Sequence, residues 1–136
     1  MLVLDASVIA KWFKYEEGRE KALEIRDNFI SDQEQITFPD LLILELANLL
    51  RFSRIYNQAD IIKAVESIEN MDIDIVVPTF EVIKDSVRMA VENDLTVYDA
   101  VYISLAESLG CDFITADEKL HHKVKKLKFV KLLKNY

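Results

Sequence analysis

In "LLILELANLL", residues 41–50, a single glutamate stands among leucines. A carboxylate in such company is rarely buried unless it is paired or holds a metal. Three more acids invite the same question. Asp5 ends the apolar run "MLVLD", Asp99 opens "YDAVYISLA", and Asp117 follows "FIT". None of the four segments supplies an adjacent Arg or Lys suited to neutralise its acid. Two unit charges about 4 Å apart repel by roughly 4 kcal/mol at an effective dielectric near 20. If Asp5, Glu45, Asp99 and Asp117 meet, some must be protonated or a divalent cation must sit between them. Oxygen donors without His or Cys suit Mg2+ or Mn2+ better than Zn2+. His121 and His122 are sequence neighbours on a short helix, diverge from one another, and read as surface residues. A carboxylate-held Mg2+ binds a non-bridging phosphate oxygen, makes hydroxide from water, and stabilises the leaving oxygen. No Ser–His or Cys–His pair is apparent, so water is the simplest nucleophile for phosphate-ester hydrolysis.

Whether the acids meet depends on the elements that carry them. Five short apolar segments, "MLVLD", "QITF", "IDIVV", "DFIT" and "FVKLL", alternate with stretches of helical periodicity. That alternation predicts an α/β fold with a parallel sheet covered on both faces. "ASVIAKWF" is read as a short helix, and "EGREKALEIRDNFI" as a second with Ala22, Ile25 and Phe29 on one stripe. Pro39 is placed in the first turn of the helix that runs to about Arg54. "TFEVIKDSVRMAVEN", capped by Thr79, carries Phe80, Ile83, Val87, Ala90 and Val91 at helical spacing. Gly110 closes the helix containing Asp99. In such a sheet each helix leaves the carboxyl edge of one strand and returns. Asp5 and Asp117 then lie at strand exits, Glu45 in the second turn of an outgoing helix, and Asp99 in the first turn of a returning one. All four fall on one edge, where ligands bind in open α/β folds. Each also has a purely structural use: Asp5 and Asp117 as helix caps, Asp99 as an acid in a first turn, Glu45 as a side chain reaching solvent.

Composition narrows the function classes. The chain of 136 residues fits one domain, residues 1–136, and its 51% apolar content argues against disorder. The apolar runs near 1–10 and 41–50 are too short to span a bilayer, and the first lacks the marks of a signal peptide. A single cysteine, Cys111, rules out an internal disulfide framework and fits a small hydrophobe beside a strand in a reducing cytoplasm. Only Gly18 and Gly110 are glycine, so neither a P-loop nor a dinucleotide-binding turn can be built. The net charge of −7 argues against coating nucleic acid by bulk electrostatics. Yet lysines cluster at 123, 125, 126, 128, 131 and 134, a solvated face or else a track for RNA, with Lys125 and Lys126 the candidates for RNA contact. Around 41–56 the apolar excess, including Phe52, Ile55 and Tyr56, predicts a face for a second copy or another partner.

At these residues the sequence resembles a PIN domain, specifically a VapC-type toxin ribonuclease. "LVLDAS", "FPDLLILELANLL", "YDAVYISLA" and "FITADEKL" are similar to the family's four motifs, nearly end to end. The resemblance implies a three-layer α/β/α domain with a five-stranded parallel sheet of order 3-2-1-4-5. It further implies Mg2+-dependent RNA cleavage, a homodimer, and a cognate antitoxin. By the family pattern Asp5 and Asp99 are metal ligands, with Glu45 and Asp117 completing the pocket. Ser7, Asn48 and Thr115 would orient carboxylates or metal waters. A haloacid-dehalogenase-type phosphatase would need a second Asp where Ser7 stands. A receiver domain would need a phospho-acceptor Asp where "PTF" follows the third strand. An inactive PIN-like binding module is the remaining alternative, set against a chain in which no motif acid is missing.

Overall fold

The computed structural model describes residues 1–136. In chain order the elements are β1 (Leu2–Leu4), α1 (Ala6–Phe13), α2 (Arg19–Ile30), β2 (Ile36–Pro39), α3 (Leu41–Phe52) and α4 (Gln58–Asn70). There follow β3 (Asp74–Val76), α5 (Phe80–Asn93), α6 (Val97–Leu109), β4 (Asp112–Thr115), α7 (Glu118–Lys123) and β5 (Val130–Leu132), with a closing 3-10 turn at Leu133–Asn135. The five strands are parallel and ordered β3-β2-β1-β4-β5, the order that the resemblance implied. Successive strand residues point to opposite faces. Leu2, Val3 and Leu4 are nevertheless all buried, so the middle of the sheet is covered on both sides.

Helix α6 supplies one cover, touching β1, β2 and β4. Its residues Ala100 to Ala106 are buried without a break, as befits a helix with sheet on one side and α5 on the other. Thr96 caps its start by accepting from the Asp99 N–H at 3.0 Å. Gly110 ends it at φ 64°, the left-handed conformation glycine adopts without a Cβ clash. Helix α1 lies over β4 and packs against α2 and α3, and α4 packs on α3.

Two expectations are corrected. Pro39 is the last residue of β2, paired with Val76, and not part of the following helix. A proline is tolerated there because the ladder bond comes from the next residue: the Asp40 N–H donates to Val76 O at 3.0 Å. On α5 the buried positions are the small residues Ser86 and Ala90, where it meets α6. Much of the predicted apolar stripe faces outward instead, with Phe80 at 87% and Val91 at 79% exposure.

Candidate active site

The sheet order decides which acids meet. After β3 the chain crosses back to the other side of β1, so that β1 and β4 become neighbours. Their register pairs Leu4 with Ile114, so the next step at the carboxyl edge sets Asp5 beside Thr115. The Thr115 hydroxyl donates to Asp5 Oδ2 at 2.5 Å, and the Ser7 hydroxyl to Oδ1 at 2.5 Å. The Val8 N–H donates to the same Oδ1 at 3.2 Å. Asp5 therefore does cap α1, and the capping use coexists with a place in the cavity. Ser7 in turn accepts from the Ala116 N–H at 2.8 Å, and Thr115 accepts from the Asp117 N–H at 3.0 Å. These bonds stitch the exits of β1 and β4 together around one carboxylate.

Glu45 lies in the second turn of α3, on the flank of a stripe of buried leucines (Leu42, Leu46, Leu50). It is half-buried and accepts a hydrogen bond from the Tyr102 hydroxyl of α6 at Oε2. Asp99 lies three residues before Tyr102, in the first turn of α6. Asp117 is exposed and caps α7, its Oδ1 accepting from the Lys119 and Leu120 N–H groups at 2.8 and 3.0 Å.

All four acids line one cavity of about 280 Å3, with Ser7, Asn48 and Tyr102 among its other walls. None of its ten lining residues is basic. Burial pushes the Asp5 carboxyl up to about 6, against the Ser7, Thr115 and Val8 hydrogen bonds, and the charge of Glu45 adds to the rise. Burial also raises Glu45, opposed by the Tyr102 hydrogen bond and reinforced by Asp99. Asp99 is raised by burial and by Asp117, against a Thr96 hydrogen bond and the charge of Lys123. Asp5, Glu45 and Asp99 are thus each held up in part by a neighbouring carboxylate. Lys123, whose charge acts on Asp99, is engaged with Asp94 at 3.5 Å.

This donor set fits a hard divalent cation: several oxygens, no sulfur or imidazole, and mutual repulsion that a cation would relieve. It is not a finished coordination sphere. No three carboxylates converge closely enough to grip one ion as they stand. The reason is visible in their partners: Asp5 is drawn to Ser7 and Thr115, Glu45 to Tyr102, and Asp117 to the start of α7.

Lys125 and Lys126 are not brought to this cavity. They follow α7, which carries the chain back across the sheet before β5, and β5 runs parallel to β4 with Val130 paired to Phe113. The two lysines are exposed, in the connection between α7 and β5. Of their neighbours, Lys131 pairs with Asp112 at 2.5 Å and Lys134 with Glu118. Sequence reasoning did not single out Tyr102. A signal existed, since it stands one helical turn from Asp99 on an apolar helix, and a buried phenol seeks a hydrogen-bond partner.

A parallel α/β sheet with carboxylates gathered at the switch between β1 and β4 defines the class, and the comparison with known proteins defines the family. The PIN domain family model matches residues 2–126, and the chain belongs to that family. It is 32% identical over 126 residues to Ribonuclease VapC3 of Pyrobaculum aerophilum, covering 90% of this chain and 93% of that protein. It is also 32% identical over 104 residues to Exonuclease VapC9 of the same organism, covering 73% of this chain and 74% of that one. Among solved structures, a toxin–antitoxin complex from Klebsiella pneumoniae contains a chain that superposes with a TM-score of 0.73 at 14% identity, over 98% of both chains. At that identity the likeness shows the fold.

Proposed function

We propose that this protein is a metal-dependent endoribonuclease, the toxin of a type II toxin–antitoxin pair. The observation that carries the reading is the cavity walled by Asp5, Glu45, Asp99 and Asp117 with no base among its lining residues. Kinship with a protein named a ribonuclease over 90% of the chain supports RNA as the substrate. Asp5 and Asp99 are the assigned ligands of a Mg2+ or Mn2+ ion, with Glu45 and Asp117 completing its surroundings. Bound there, the ion would activate water and stabilise the leaving oxygen. The chain's own part is orientation. Ser7 and Thr115 fix both oxygens of Asp5, and Asn48 stands at the wall where a phosphate or a metal water would lie.

No helix is long and apolar enough to cross a membrane, and we place the activity in the cytoplasm with its RNA. We assign a homodimer and a cognate antitoxin as partners. Phe52 and Ile55 are well exposed and available to either, whereas Tyr56 is half-buried and tied to the fold through its hydroxyl on Phe13 O at 2.9 Å. Lys125 and Lys126, which do not line the cavity, would serve RNA flanking the cut.

The test is cleavage of an end-labelled RNA carrying single-stranded loops, with Mn2+ or Mg2+ and with excess EDTA. Internal cuts that vanish on chelation and in Asp5→Asn are expected. Cleavage undiminished in EDTA rules out the mechanism. Products shortened one nucleotide at a time favour the exonucleolytic reading that the VapC9 relative suggests. Metal binding without cleavage of any RNA favours an inactive binding module.

A further inference from the structure

Tyr102 is 2% exposed, yet its hydroxyl is polar and must be satisfied where it lies. Its partner is Glu45, on an element 57 residues away in sequence. The aromatic ring is fixed by the core: it stacks on Phe113 of β4 with centroids 5.9 Å apart and planes at 16°. Phe113 is itself fully buried. The ring therefore has one orientation, and that orientation aims its hydroxyl at the carboxylate in the cavity wall. Glu45 is the opposite kind of group. It has several rotatable bonds, and its helix exposes Leu44 and Asn48 on adjoining faces. Left alone, its head group is free to turn toward water and away from three other acids.

We infer that Tyr102 is a positioning residue for Glu45: by holding Oε2 it keeps the carboxylate in the cavity and leaves Oε1 as the oxygen a cation can take. The hydroxyl proton of Tyr102 is committed to Glu45, so the residue acts through that carboxylate. The inference rests on the reading of the cavity as a cation site. It adds a one-oxygen role for Glu45, and a line of support running from the β4 core through an aromatic stack to that oxygen.

Binding of Mn2+ alone, followed by calorimetry on wild type, Tyr102→Phe, Glu45→Gln and the double variant, tests this without any RNA. Tyr102→Phe keeps the ring and its stack, so an unchanged circular dichroism spectrum is expected. Its Mn2+ affinity is expected to fall by about 10-fold, at the lower end of losses for residues that orient a ligand. The double variant is expected to bind no worse than Glu45→Gln, because Tyr102 acts only through Glu45. In cleavage assays the Mn2+ concentration for half-maximal rate should rise by the same factor. Equal Mn2+ affinity in wild type and Tyr102→Phe, with only the melting temperature lowered, makes Tyr102 a packing residue and overturns the inference. Losses that add in the double variant overturn it as well. If Tyr102→Phe folds poorly, Glu45→Asp serves instead: one methylene shorter, it loses reach to the hydroxyl but keeps its charge. Undiminished Mn2+ affinity in that variant is equally fatal. A wild type that binds no Mn2+ removes the cation reading itself, a different failure from a Tyr102→Phe that binds normally.

Discussion

Replacing Asp5 by Asn should make the metal-free protein's stability less dependent on pH. In the folded chain the Asp5 carboxyl is pushed from 3.8 to about 6, chiefly by burial. A group raised in the folded state keeps its proton longer there than in the unfolded chain. Stability is therefore unpenalised below pH 4 and falls as pH rises toward 6. A shift of about two units corresponds to roughly 3 kcal/mol once both states are ionised. Asn removes that penalty but turns an N–H2 toward Ser7 or Thr115, where both hydroxyls now donate. One mismatched buried donor costs about 1–3 kcal/mol, at any pH. The net at pH 8 is a small gain of about 1 kcal/mol, but the difference between the proteins changes by far more across the pH range. Urea denaturation in EDTA at pH 4 and pH 8, at one protein concentration, is the assay. Asn is expected to be the less stable at pH 4 and at least equal at pH 8, the gap moving by roughly 3 kcal/mol. Saturating Mg2+ at pH 8 should then stabilise wild type by mass action and Asp5→Asn much less. A gap that is the same at both pH values would show that burial of this carboxylate is not what strains the site.

Asp99→Asn should abolish cleavage, weaken the Mg2+ response, and raise the melting temperature in EDTA by an amount worth about 1 kcal/mol. A lower melting temperature with an intact Mg2+ response would make Asp99 a structural acid of the first turn of α6. Changing Lys125 and Lys126 together to Ala should weaken RNA binding modestly and flatten its salt dependence while leaving the cleavage step alone. An unaltered salt slope marks them as a solvated face. Sedimentation should show a dimer that Phe52→Ser with Ile55→Ser disrupts; if Phe80→Ser with Val91→Ser disrupts it instead, the outward stripe of α5 is the interface.

How much of this was legible in the sequence varied with the residue. β1 and β4 could be read because strands covered on both faces are short, continuous apolar runs, and each ends in or near an acid. The outer face of α5 could not, because periodicity gives the stripe but not the neighbour. The helix meets α6 through Ser86 and Ala90, whose smallness permits close approach and leaves Phe80 and Val91 outside. Pro39 was misread for a local reason, since proline suits both a first helical turn and a strand's last residue, and only the Val76 pairing separates the two. Whether the lysines would line the cavity depended on the path from α7 to β5, which spacing does not give. The Tyr102–Glu45 bond joins two helices that sequence spacing cannot bring together. The strand–helix alternation pointed to the acids sharing one edge, but not to the donors that Asp5, Glu45 and Asp117 would find there.

The bond between Thr115 and Asp5 spans 110 residues, and that span has a meaning in time. A chain emerging from synthesis carries Asp5 well before β4, whose Thr115 follows 110 residues later. Until β4 docks against β1, Asp5 lacks its Thr115 donor and the cavity lacks the wall that leads to Asp117. Contacts between distant segments carry the entropy of closing a long loop and form late. The carboxylate edge thus has no partial version: fragments ending before residue 112 are expected to be inert toward RNA even when they hold Asp5, Glu45 and Asp99. For a protein proposed to cut RNA inside the cell that makes it, a site that needs segments 110 residues apart is expected to keep a chain still lacking β4 harmless.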